Sequence, residues 1–373
     1  MSDLAKTPDT DKVQAATGTA VDAEPSATPA AAVDPRLLVR EQGFAGYWSE
    51  FVRKIRGGEL GSLPVVVGLI VIALVFQLQN DKFLSASSLA NIAVFTSGVG
   101  IMSVGIVFVL LLGEIDLSVG SVAGVGAAVW AVLSVTHGWG DWLSVFVAIA
   151  SGLVIGALHG FFFAKIGVPA FVVTLAGFLG WSGLQIWLMG KEGSINTPTG
   201  SVVEDLTTHF FADKAAAYGL ALIAVLAYGA SQYLDARRRK NAELPSRPLS
   251  EILLRTGLLA VLAFVAAYFL NEPEGARGLP LALVLFLAVL VIADFVARRT
   301  TFGRQVFAVG GNAEAARRAG INVDRVRITV FAISGMLAAF GGLFIASLSG
   351  GATKSLGAGN TLMMVIAAAV IGG

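Results

Sequence analysis

The sequence contains no cysteine, which excludes disulfides, thiolate nucleophiles and thiolate metal sites. Histidine is nearly as scarce: His137, His159 and His209 are scattered and cannot by themselves supply a histidine-rich metal cluster. Charge is sparse as well. Asp, Glu, Lys and Arg make up 14% of the 373 residues, little more than half of the usual share of about a quarter in a soluble domain. Hydrophobic residues reach 55% and the mean hydropathy is +0.77. That much apolar surface cannot all sit in one water-facing core, so the chain reads as a membrane protein. There is no G-x-x-x-x-G-K-[ST], no H-E-x-x-H and no G-x-S-x-G. ATP binding by a Walker loop and two common hydrolase chemistries are thereby excluded. No clean internal repeat supports the inverted-repeat design of many secondary transporters.

What is present divides by composition. Residues 1–35 hold six acids, two lysines and no aromatic residue. A segment of that kind cannot bury enough to order itself and is expected to be a disordered cytoplasmic tail. It has no apolar run after Met1 and is not a signal peptide. Residues 36–60 mix Arg36, Arg40, Arg53, Lys54 and Arg56 with Phe44, Tyr47, Trp48 and Phe51. This suits an interfacial helix lying on an anionic membrane surface; a solvated leader is the alternative. Residues 61–373 form the transmembrane domain. Apolar runs fall at 61–79, 91–113, 117–135, 142–164, 169–189, 215–234, 252–270, 280–297, 328–348 and from 360 onward. With about 20 residues needed per crossing, the expected fold is all-α, a polytopic helical bundle of about ten spans. The last run is short and suggests a truncated C-terminus.

Loop charges orient the bundle. With a cytoplasmic N-terminus, the stretches 36–60, 165, 235–255 and 298–327 carry nineteen Lys/Arg, against five in the outer loops. The positive-inside rule expects that bias. The runs Arg237–Lys240 and Arg298–Arg299 flank spans and read as topology signals, not as nucleic-acid patches. Small residues at Gly120, Gly124, Gly126, Gly152, Gly156 and Gly160 predict close helix packing.

Two segments interrupt the apolar pattern. Between residues 91 and 135 the charges are Glu114 and Asp116 alone, in Glu-Ile-Asp-Leu-Ser118-Val-Gly-Ser. Acids near membrane depth are candidates for translocation or gating; the other reading is a boundary turn in which Asp116 or Ser118 caps the next helix. In the loop 298–327, Asn312 is placed to cap a two-turn helix. Glu314 falls in its first turn, Arg317 and Arg318 in its last, and Gly320 just beyond. Such a helix is marginal alone and either leans on a partner protein or serves as a capped connector. Thr174, Trp181, Gln185 and Trp187 share one span and form a weaker set of sugar-path candidates; Trp181 and Trp187 are better read as anchors near its outer end.

Three blocks carry a resemblance: Glu114–Ser121, Pro169-Ala-Phe-Val-Val-Thr-Leu-Ala-Gly177, and Thr301-Phe-Gly-Arg-Gln-Val-Phe-Ala-Val-Gly-Gly-Asn312 running on to Asn322. With these blocks the chain resembles the permease subunits of bacterial ABC-type monosaccharide importers, of the ribose and xylose kind and nearest the xylose type. In that family an E-A-A-x-x-x-G loop contacts the ATPase. Glu314, Ala315, Ala316 and Gly320 match it; the customary I-x-L-P continuation is absent. The resemblance implies a multi-pass protein of the bacterial plasma membrane and a permease homodimer. It also implies a cytoplasmic ABC ATPase that binds the ATP, an extracytoplasmic sugar-binding protein, and no cofactor, metal, nucleic-acid or catalytic role for this chain. It further implies more chain after Gly373. The alternative is an ion- or proton-coupled secondary transporter using Glu114 and Asp116, which would have no need of a docking helix. A membrane enzyme would need a nucleophile and base, or metal ligands, and the sequence offers no such set.

Overall fold

The computed structural model describes residues 63–372 apart from 212, 243–245, 247 and 272–275. The expected tail 1–35 and interfacial segment 36–60 lie outside the described residues. In chain order the helices are α1 (Leu63–Gln79), α2 (Ala86–Leu111), α3 (Val119–Ala131), α4 (Asp141–Phe161), α5 (Ala170–Met189) and α6 (Val202–Thr208). Then come α7 (Lys214–Asn241), α8 (Leu249–Asn271), α9 (Leu281–Arg299), α10 (Thr301–Gly311), α11 (Ala313–Arg318), α12 (Val323–Leu348) and α13 (Asn360–Gly372). Helices α3 and α4 each end in one wider, π-type turn, at Val132–Thr136 and Phe162–Ile166. Eight helices among the described residues are long and apolar enough to cross a membrane, and α1 and α13 are shorter apolar helices. Together they account for the ten apolar runs.

α12 is the axis of the bundle and packs on α4, α2 and α3. The α4–α12 seam is closed by glycine: a methyl at Gly152 would meet Gly335 and Ala339, one at Gly156 the backbone of Phe331 and Ala332, one at Gly160 that of Ile328. Helix α3 is apolar on every side, and all but one of its residues are buried, as expected of a helix in the centre of a bundle. Helix α1 has no buried residue, and most of its residues are exposed.

Several helices outrun the apolar runs that announced them. Ser85 caps α2 by accepting the Ser88 N–H, and Asn322 caps α12 by accepting the Arg325 N–H, so both start five residues before their hydrophobic stretch. The segment 298–327 is correspondingly not one loop with one helix. It holds α10, capped by Thr300, then α11, and then the first turn of α12.

The links sort onto two faces. On one, the basic face, Lys165 pairs with Asp324 at 3.0 Å, Arg299 with Asp235 at 3.3 Å, and Gly310 lies against the Leu111 carbonyl. On the opposite, sheet face, β1 (Ser194–Asn196) pairs antiparallel with β4 (Gly351–Thr353), Ile195 facing Ala352. There β2 (Phe210–Phe211) also pairs with β3 (Leu279–Pro280). Asp141 ties this face together. Its carboxylate accepts from the Trp130 indole at 2.8 Å, from Ser134 at 3.1 Å and from the Val202 N–H. The links expected to share a side in an alternating topology do share one.

Candidate functional site

Helical structure is broken from both faces toward the same place. The link 112–118 leaves the basic face and turns inward, so that Asp116 is 3% exposed. The link 354–359 enters from the sheet face, with Leu356 and Gly357 buried. Gly357, at φ +82°, lies backbone to backbone against Gly120 near the start of α3. Any side chain at Gly120 would collide with the Gly357 carbonyl. Irregular backbone at membrane depth is tolerated where protein surrounds it, and α3, α5 and α13 do so here.

Asp116 is the head of a buried hydrogen-bond chain. Its Oδ1 accepts the Ser118 N–H at 2.9 Å and the Ser118 hydroxyl at 2.6 Å. Its Oδ2 accepts the Ser334 hydroxyl of α12 at 3.1 Å. Ser118 Oγ lies 3.2 Å from Nδ1 of His159 on α4, and Nε2 of the same ring lies 2.7 Å from the Trp181 indole nitrogen on α5. The donors fix the polarity. An indole N–H can only donate, so His159 Nε2 accepts and Nδ1 carries the proton. The Ser118 proton goes to Asp116, so Ser118 Oγ accepts from Nδ1–H. One tautomer of the neutral imidazole satisfies every group. The chain joins the α2–α3 break to α4, α5 and α12. Gly177 on α5 leaves room for it, since a methyl there would strike the imidazole. Thr174 adds a contact from α5 to the same link: its hydroxyl donates to Ala170 O at 2.9 Å and lies 3.4 Å from Ile115 O.

These contacts bear on the capping reading of the acidic turn. Ser118 stands at the N-cap position of α3, yet its side chain caps no backbone N–H of that helix. Asp116 Oδ1 takes both the N–H and the hydroxyl of Ser118 in its own link, and Oδ2 takes the Ser334 hydroxyl from across the bundle. Glu114 is separate. It is half-buried at the basic face, and burial pushes its carboxyl above the ordinary value while nearby Arg327 opposes the rise. The Trp181 indole donates to His159, whereas Trp187 is highly exposed near the sheet face. Gln185 is buried and donates to Thr353 O at 2.8 Å and Leu356 O at 3.2 Å, holding the inbound link to α5. A cavity of about 420 Å³ lies between α4 and α5, with His159 and Trp181 set among Leu158, Phe162 and Val172. So apolar a lining does not suit the hydroxyls of a sugar.

His159 and Ser334 are the members that sequence reasoning missed. The signal for His159 was present: it is the sole titratable group between Trp142 and Ala164, the criterion already applied to Glu114 and Asp116. A serine among serines gave no signal for Ser334.

The second site is the surface of α10 and α11 on the basic face. α10 buries Gly303, Val306 and Val309 against the bundle. Asn312 Oδ1 accepts the Ala315 N–H at 2.9 Å and starts α11. At its other end Gly320 N donates to Arg317 O and Ile321 N to Ala316 O, both at 3.0 Å, a Schellman closure with Gly320 at φ +84°. Ala316 is buried, while Glu314, Ala315, Arg317 and Arg318 are exposed. The helix is therefore held by its caps, by buried Ala316 and half-buried Ala313, and by an Arg317–Asp324 contact at 3.6 Å to α12, with Glu314, Ala315 and Arg318 turned outward. It is not part of the Asp116 chain.

The described helices are those of a polytopic helical membrane protein. Residues 88–373 match the family described as the permease component of the branched-chain amino acid transport system. The chain is 36% identical over 311 residues to the xylose transport system permease protein of Escherichia coli K12, covering 83% of this chain and 77% of the relative. It is 34% identical to the xylose transport system permease protein of Haemophilus influenzae, covering 84% and 82%. It is 27% identical to the ribose import permease protein of Haemophilus influenzae, covering 82% and 75%. No solved structure matches. The chain belongs to this permease family, among the ABC monosaccharide permeases, and is a multi-pass protein of the plasma membrane.

Proposed function

We propose that the chain is the membrane subunit of an ATP-driven importer of a xylose-like pentose. It works as a homodimer with a cytoplasmic ATPase that binds the ATP and an extracytoplasmic sugar-binding protein that supplies most of the selectivity. The N-terminus and the basic face are cytoplasmic; the sheet face meets the binding protein. The observation that carries this reading is α11. It is short, closed at both ends by hydrogen bonds, held to the bundle by buried Ala316, and exposed at Glu314, Ala315, Arg317 and Arg318. A connector has no need of that shape, whereas a rigid peg that transmits movement of a partner does. Through α10 the peg rests on the end of α2 at Leu111, five residues from Asp116. Movement at α11 thus reaches the α2–α3 break, where the chain from Asp116 to Trp181 sets the relation of α5 to α12. Asp116, Ser118 and His159 act as the gate latch. Asp116 has its carboxylate oxygens filled by three hydrogen bonds, so the ion- or proton-coupled alternative is not favoured.

The test is reconstitution of the permease with its ATPase and xylose-binding protein in liposomes. Wild type should show xylose-stimulated ATP hydrolysis and uptake. Glu314→Lys reverses a charge at a positive helix end, a local cost of about 0.3–1 kcal/mol, and Gly320→Val forces a β-branched residue to positive φ. Both should fold in the membrane yet lose coupling. If both assemble and couple like wild type, α11 is a connector and the mechanism fails.

A further inference from the structure

α7 and α9 both end on the basic face, where Arg299 and Asp235 bridge them. α7 has 28 residues, about 42 Å of helix, against a hydrocarbon layer of about 30 Å. Its last turns therefore stand at headgroup level and beyond. They carry Arg237, Arg238, Arg239 and Lys240 on four successive positions, pointing all round the helix and all exposed. α9 ends on Arg298 and Arg299, and the Arg299–Asp235 contact at 3.3 Å draws the two basic runs together. Asp235 also takes Arg239 at 3.4 Å, and Asp294 takes Arg298 at 2.6 Å. Six cationic side chains thus share two carboxylates. Among the described residues, Arg237, Arg238 and Lys240 have no acidic partner. Among the described residues α7 has none buried after Val225, and the four basic side chains are exposed. Tyr233, Leu234, Ile292 and Phe295, one or two turns deeper, are exposed as well. They put apolar and aromatic surface where acyl chains and glycerol backbones lie.

We infer that this double basic collar binds the headgroups of anionic phospholipids. Topology alone requires positive charge in the loop. It does not require helical extension of α7 past the bilayer, an inter-helix bridge that sets two runs level, or cations with no acidic partner among the described residues above exposed apolar side chains. Juxtamembrane clusters of this size attract anionic lipid, and an excess of four positive charges at one level gives phosphatidylglycerol a preferred position beside α7.

The probe is phosphatidylglycerol against phosphatidylcholine. The purified full chain is equilibrated in mixed nanodiscs, and retained lipid is counted by native mass spectrometry. Wild type should prefer phosphatidylglycerol. R237Q/R238Q/K240Q should lower that preference by about fivefold per charge, on the order of a hundredfold in all, while R237K/R238K/K240R should keep it. If the glutamine variant does not fold, wild type in about 1 M salt, where screening acts within about 3 Å, should lose the preference instead. An unchanged preference in the glutamine variant or in high salt overturns the inference. So does a glutamine variant that keeps its lipid but no longer assembles with the ATPase, which would make the collar a protein-docking surface.

Discussion

Gly156 sits where α4 and α12 touch backbone to backbone, and its replacement by alanine is the sharpest test of the packing. A Cβ there would lie 2.9 Å from the Phe331 carbonyl carbon and 3.0 Å from Ala332 Cα, and would strike the Phe331 oxygen. Carbon atoms rest about 3.5–4.0 Å apart, so the seam must open by roughly 0.5–1 Å. Phe331 is buried and belongs to the central helix, so it cannot yield as a flexible side-chain tip would. Overpacking of this kind costs about 1–3 kcal/mol. Alanine gives back about 1 kcal/mol of helix propensity over glycine, leaving a net loss of up to about 2 kcal/mol. Gly219 on α7 supplies the opposite sign: nothing lies within 4 Å of its Cβ position, so Gly219→Ala keeps the propensity gain with no collision. The assay is thermal unfolding of detergent-solubilised protein followed by size-exclusion chromatography. At about 2–4 °C per kcal/mol for a chain of this size, Gly156→Ala should melt several degrees below wild type and Gly219→Ala at or above it. A Gly156→Ala variant as stable as Gly219→Ala would refute the backbone seam.

Asp116→Asn should keep the fold, because its amide oxygen can still accept from Ser118, but uptake should fall because the charge that polarises the chain to His159 is gone. His159→Phe, which fills the space with no acceptor for Trp181, should lower uptake further; normal transport in both variants would remove the latch. Cysteine introduced at Ser194 should react with an impermeant reagent in intact cells and cysteine at Ala313 should not, since the two lie on opposite faces; equal labelling would reject the orientation. Glu114 is held above its ordinary value by burial, so its contribution to stability is full in acid and is lost as pH rises through the folded-state value. Glu114→Gln should therefore stabilise the protein at neutral pH, with the gain vanishing below the unfolded carboxylate range. A gain independent of pH would mean that the charge is not its source.

The amino-acid sequence by itself determined the class and the coarse topology. Apolar length and the placement of Lys and Arg are local quantities, and they located all ten apolar helices and sorted their links onto two faces. Caps are local too. Asn312 and Gly320 announced α11 before any fold was known, because an N-cap side chain and a left-handed closing residue depend on neighbours within a few positions. Helix ends were less legible. Charged first turns such as Asp324–Arg327 continue a helix past the membrane, where hydropathy gives no signal. What only the tertiary structure decided was which polar residues meet. Asp116, His159, Trp181 and Ser334 come from four separated segments, and nothing in their local sequence encodes a shared hydrogen-bond chain. Their meeting follows from glycine seams that let α4 and α12 approach to backbone contact, and from two non-helical links that enter the bundle from opposite faces. It is a property of packing, and packing is long-range in the chain.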